Sequence, residues 1–134
     1  MHGLHLIAEL SDCQCDPQLL QDAGSLRALC LAVCSEPGLT PVGEVFHQFG
    51  SHEEPAGATG AVVLAESHLA VHTWPELASV TLDLYVCNFS QDNSAAARQA
   101  WARLLAAFAP GGVAQREIER GAAAARGALS DAGG

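Results

Sequence analysis

An α+β chain is predicted here: a two-layer sandwich in which a mainly antiparallel sheet carries two helices on one face. Three observations predict it. Residues 79–87 (SVTLDLYVC) alternate, with Val80, Leu82, Leu84 and Val86 facing one way and Thr81, Asp83, Tyr85 and Cys87 the other. Two longer stretches carry apolar residues at helical spacing behind capping signals, Asp16-Pro17 and Asp92-Asn93-Ser94. Strand, helix, strand and strand then follow one another in an order that is repeated in part.

Residues 3–10 (GLHLIAEL) read as a first strand and residues 11–15 as a polar turn. A helix is expected from Asp16 to about Ser35, with Leu19, Leu20, Ala23, Leu26, Leu29, Cys30 and Val33 on its apolar stripe and Pro37-Gly38 as its stop. Residues 39–49 read as a second strand, and residues 50–59 (GSHEEPAGAT) as an exposed loop, because Gly, Pro and charge cluster there. A short buried strand over 60–65 follows, and His68 to Thr73 either continues it or begins another before Trp74-Pro75 turns the chain. Ala97, Trp101, Leu104, Leu105 and Phe108 form the stripe of the second helix, which Pro110-Gly111-Gly112 ends. Residues 113–119 can form a last strand, and the Ala/Gly-rich tail from Gly121 is expected to fray. Residues 1–134 hold no linker and read as a single domain.

Composition narrows the chemistry. Net charge is −9, from 15 acidic and six basic residues, which argues against nucleic acid as a partner. No apolar run approaches a membrane span, and the N-terminus lacks the basic and apolar regions of a secretory signal, so a cytoplasmic protein is expected. All six basic residues are Arg, and there is no Lys. A lysine-bound pyridoxal phosphate is therefore excluded, and amino-acid chemistry that needs an electron sink must find its carbonyl elsewhere. The five cysteines, Cys13, Cys15, Cys30, Cys34 and Cys87, are an odd set without zinc spacing and read as reduced thiols.

Residues 65–76 (AESHLAVHTWPE) are strange for a structural strand, since two His, two Glu, Ser, Thr, Trp and Pro crowd between apolar segments. Polar groups there must be satisfied or they cost stability. His68 and His72 are four apart, yet the strand-like flanks and the lack of a third ligand at a recognised spacing leave no metal expected. Ser67 lacks the Gly-x-Ser-x-Gly elbow of a hydrolase nucleophile. Histidines that merely satisfy core hydrogen bonds remain the plain alternative.

The run Glu66-Ser67-His68-Leu69-Ala70-Val71-His72-Thr73-Trp74-Pro75-Glu76 resembles the processing site of prokaryotic S-adenosylmethionine decarboxylases. Cys87 on the following strand, the opening Gly3 to Glu9 and the segment Phe46-His47-Gln48-Phe49 resemble that family as well. The resemblance implies self-cleavage between Glu66 and Ser67 into a β chain (1–66) and an α chain (67–134) whose first residue becomes a pyruvoyl group. That ketone would take the substrate amine as a Schiff base. It further implies that His72 assists processing and that Thr59 hydrogen-bonds during it. Cys87 would be the general acid, Phe49 would stack on adenine and Glu76 would bind the ribose. A small-molecule substrate and a homodimer of cleaved αβ units are implied too. The sequence departs from the family at Asn88-Phe89-Ser90, at Leu77-Ala78-Ser79 and in the acidic loop with Glu53 and Glu54. Arginine or ornithine as substrate, and an unprocessed ligand-binding relative, are the alternatives.

Overall fold

The computed structural model describes residues 2–89 and 91–121. Strand β1 (Gly3–Cys13) buries Leu4, Leu6, Ala8 and Leu10 on one face and turns His5, Ile7 and Glu9 to the other. The expected first helix is two. Asp16 accepts from the Gln18 N–H at 3.0 Å and starts α1 (Pro17–Gln21), and α2 runs over Ala23–Ser35. The break falls at Asp22, which is extended (φ −107°, ψ 121°) and caps α2 by accepting from the Ser25 N–H at 2.8 Å. A distant side chain stitches this break. Gln48 accepts from the Ala23 N–H at 2.7 Å and donates to the Gln21 carbonyl at 2.7 Å.

Strand β2 (Pro41–Gly50) is followed by a tight turn over 51–54, not by the longer loop expected, and β3 begins at Pro55 and runs to Leu64. Small residues disguise the start of β3 as loop. A Cβ on Gly60 would lie 2.0 Å from the Phe46 ring, so packing dictates the glycine. Strand β4 (His68–Trp74) is separate and antiparallel to β3. One 3₁₀ turn (Pro75–Leu77) and a left-handed Ala78 lead into β5 (Ser79–Cys87). Helix α3 (Ser94–Phe108) ends at left-handed Ala109, and β6 (Pro110–Arg120) closes the order. Nothing is described beyond Gly121, so the fray expected of the tail lies outside the described residues.

The six strands of the described residues form one antiparallel sheet in the order β2-β3-β4-β5-β1-β6. The helices cover one face. Leu26, Cys30, Val33 and Cys34 of α2 and Ala97, Leu104 and Phe108 of α3 pack on Leu6, Val62, Leu69, Val71, Leu82 and Leu84 in one core cluster. Each such leucine or phenylalanine contributes about 1.5–3 kcal/mol. Burial pushes the Cys34 thiol up to about 11 and the Cys30 thiol higher still, so both are inert apolar fillers. Thr73, a buried polar residue on this face, is satisfied: its hydroxyl donates to the Leu20 carbonyl at 2.7 Å and accepts from the Ala58 N–H at 2.9 Å. The other face of the sheet carries no helix among the described residues.

Candidate active site

Ser67 sits where β3 turns into β4. Leu64 and Ser67 exchange backbone hydrogen bonds of 2.9 and 3.3 Å around a turn whose corners are Ala65 and Glu66. The Glu66–Ser67 peptide bond therefore lies at a hairpin tip. The Ser67 hydroxyl accepts from the Cys87 N–H at 2.9 Å. Asn93, buried at the start of α3, donates to the Cys87 carbonyl at 3.0 Å and to the Glu66 carboxylate at 3.2 Å. Asn88 accepts from the Asn93 N–H at 2.7 Å and donates to Ser94 Oγ at 3.0 Å, so this departure from the family fastens the loop after Cys87 to α3. A cavity of about 190 Å³ opens here, lined by Glu66, Ser67, Gln91 and Asn93 among others.

Around Cys87, on the uncovered face, the pleat gathers a polar cluster. Asp83 Oδ2 accepts from His5 Nε2 at 2.9 Å and from His68 Nε2 at 3.1 Å. Arg120 donates to His5 Nδ1 at 3.3 Å, and since a guanidinium can only donate, His5 carries its proton on Nε2, toward Asp83. Tyr85 lies against both imidazoles, with ring centroids 5.6 and 5.8 Å away, and under the Arg120 guanidinium at 4.4 Å. Its ring crosses Gly3, whose Cβ, were there one, would meet the ring at 2.8 Å. Burial, then the neighbouring Cys87, raise the Tyr85 phenol above its ordinary range, and Arg120 opposes them.

The remaining expected residues lie elsewhere. His72 Nδ1 pairs with Thr59 Oγ1 at 2.7 Å across β3 and β4. His72 is five residues along β4 from Ser67, about 16 Å at the strand rise of ~3.3 Å per residue. Phe49 is half exposed, its ring 4.7 Å from that of His47, which stands opposite Thr59 in the register. Glu76 is exposed in the 3₁₀ turn beyond the far end of β4. The structure thus brings Glu66, Ser67 and Cys87 together and brings Thr59 and His72 together, with Phe49 and Glu76 toward the second group. It does not unite the two groups within one chain. A cavity of about 560 Å³ also lies at the second end, between Trp74, Leu77 and Val113.

His68 and His72, weighed above as a metal pair, are about 13 Å apart by strand rise. His68 converges instead with His5 and Asp83, their ligand-type atoms all within 4.8 Å of one another. Sequence reasoning left out His5, Asp83, Asn93 and Arg120 as site residues. The alternation of 79–87 did place Asp83 and Tyr85 beside Cys87; the convergence of β1 and β6 on them carries no local signal.

Residues 4–121 match the family model described as S-adenosylmethionine decarboxylase. An S-adenosylmethionine decarboxylase proenzyme of Picrophilus torridus is 37% identical over 119 residues, covering 89% of this chain and 84% of the relative. The proenzyme of Archaeoglobus fulgidus is 34% identical, covering 89% of this chain and 97% of its own. The crystal structure of the adenosylmethionine decarboxylase from Aquifex aeolicus superposes with a TM-score of 0.75 at 32% identity, over 89% of this chain and 90% of that one. With the fold and nearly the whole described chain in agreement, this protein belongs to the S-adenosylmethionine decarboxylase family.

Proposed function

We propose that this chain is a proenzyme that cuts itself between Glu66 and Ser67 and decarboxylates S-adenosylmethionine through a pyruvoyl group made from Ser67. The observation that carries the reading is the placement of the Ser67 hydroxyl at the hairpin tip, next to the Glu66 carbonyl and anchored on Cys87 N–H. Cleavage begins as Ser67 Oγ adds to the Glu66 carbonyl carbon and the peptide nitrogen leaves, giving an ester. Removal of the Ser67 α-proton then expels the Glu66 carboxylate, which keeps Oγ. Water replaces the nitrogen, and ammonia departs. These residues fit such a group, because a lysine-free chain has no other carbonyl source and the tip has room beside it. A pyruvoyl ketone supplies the electron sink for loss of CO₂ from an α-amino acid.

Cys87, whose N–H binds the Ser67 hydroxyl, would be the general acid that returns a proton to the carbon that CO₂ leaves. The cavity at Ser67 is smaller than the ~300 Å³ at which ligand pockets usually begin, so one chain does not enclose a nucleoside-sized substrate. Thr59 and His72 are too far away to act on Ser67 of their own chain. A two-fold pairing of uncovered faces supplies both needs, setting the Ser67 end of one copy against the His72, Phe49 and Glu76 end of the other. The working protein is then a homodimer, with His72 acting as base in processing, Phe49 stacking on adenine and Glu76 holding the ribose. Its product would feed spermidine synthesis in the cytoplasm. Among the described residues no helix is long and apolar enough to cross a membrane.

Intact mass on a denaturing column tests this reading. Two fragments split at Glu66–Ser67 are expected, the C-terminal one lighter by one ammonia than a serine-started chain. A single species near 13.9 kDa after long incubation would overturn it.

A further inference from the structure

Cleavage changes what holds residue 67 in place, and the change can be followed atom by atom. Before cleavage Ser67 is fixed by its peptide bond to Glu66, by Cys87 N–H on its hydroxyl, by its own N–H on the Leu64 carbonyl and by its carbonyl on the Leu64 N–H. Conversion to a pyruvoyl group removes the first three together. The peptide bond is broken, Oγ leaves on the Glu66 carboxylate, and the nitrogen leaves as ammonia, so a ketone oxygen stands where an N–H donated. Only the bond from Leu64 N–H to the residue 67 carbonyl survives.

The adjacent side chain keeps its anchor. His68 Nε2 is bound to Asp83 Oδ2 at 3.1 Å, and Asp83 is held in turn by His5 at 2.9 Å, with Arg120 on the far nitrogen of His5. The two imidazoles meet edge-on, 6.1 Å between centroids, and Tyr85 packs on both. None of these groups takes part in the bond-making steps, and none is altered by them. The clasp spans both products: His5 belongs to residues 1–66, while His68, Asp83, Tyr85 and Arg120 belong to the C-terminal fragment.

We infer that the His5–Asp83–His68 clasp is the device that keeps the pyruvoyl-bearing end in register once the hairpin has been cut. The inference rests on the proposed cleavage. Asp83 and His5 are positioning residues: they act through His68 on the residue before it.

The test compares Asp83→Ala with the natural protein, each as the cleaved dimer and each again in a Ser67→Ala background that cannot cleave. Amide hydrogen exchange at His68 and Leu69 is read together with kcat and KM. In the cleaved variant, exchange at these two amides is expected to rise at least tenfold and kcat to fall at least tenfold, with KM within twofold. In the uncleaved background, exchange is expected to stay within twofold of its parent, since the covalent hairpin still holds the strand. Unchanged exchange in the cleaved variant, or an equal rise in both backgrounds, overturns the inference, the second result showing a merely structural role. Should Asp83→Ala not fold, His5→Gln removes one arm and carries the same comparison. Failure of the natural protein to cleave at all is a separate result, which sinks the processing reading and the clasp with it.

Discussion

The two ends of the uncovered sheet face differ in how they are built. The Ser67 end is densely cross-linked, with Cys87 N–H on Ser67, Asn93 bridging Glu66 and Cys87, and Asp83 joining two imidazoles beneath Tyr85 and Arg120. The His72 end is open. It offers the Thr59–His72 pair beside a half-exposed Phe49, an exposed Glu76 and a broad apolar cavity. In the proposed reaction, rigidity would stand where bonds are made and broken, and reach where the substrate is gripped. On the proposed reading, the difference teaches that one chain would carry two complementary halves of a site, facing outward at opposite ends.

The largest effect tests whether the ends truly serve different copies. Ser67→Ala and His72→Ala are each expected to abolish activity alone. Co-expressed, half of randomly paired dimers are mixed and one of their two sites is whole, so about a quarter of natural activity should return under two-fold symmetry. No recovery, with mixed dimers verified by mass, would place both ends in one chain's own site.

Next in size, Cys87→Ser should still cleave, as seen by intact mass, while kcat falls by about 10²–10⁴, the usual worth of a positioned general acid. At the open end the effects are smaller and of another kind. Phe49→Ala should raise KM up to about tenfold with kcat little changed, since an aromatic stack is worth ~0.5–1.5 kcal/mol. Titration with substrate separates the two ends by this split between kcat and KM.

The smallest effect is structural. Gln48→Ala leaves the break at Asp22 without its stitch, and loses a further bond to the Gly57 carbonyl at 2.9 Å. Melting of the uncleaved protein should show a loss of about 1–3 kcal/mol.

Much of this architecture is legible in the residues. Strand 79–87 is read correctly because one face is buried and the other is not, which writes strict alternation into the chain. The second long helix is read correctly because its stripe packs directly on the sheet. The first is read as one helix because nothing near Asp22 announces that Gln48, 26 positions later, will hold the chain open there. The start of β3 is hidden since Gly57 and Gly60 must be small for Pro75 and Phe46 to lie against them, and small residues look like loop. Ser67 and Cys87 meet because β5 lies beside β4, a pairing with no local signature. His5, Asp83 and Arg120 converge only once β1 is seen to run between β5 and β6.

The borders of the sheet have a consequence for handling the protein. The outer strand β6 is lined with Arg116, Glu117, Glu119 and Arg120, and the Arg98–Glu117 pair ties it to α3, so charge repels any chain that would add to it. The opposite border, β2, shows Val42 at 64% and Val45 at 73% exposure. Irregular pairing at Pro41/Gly43 and at Gln48/Gly50 confines its regular stretch to residues 43–48. That short window is where concentrated solutions should begin to aggregate.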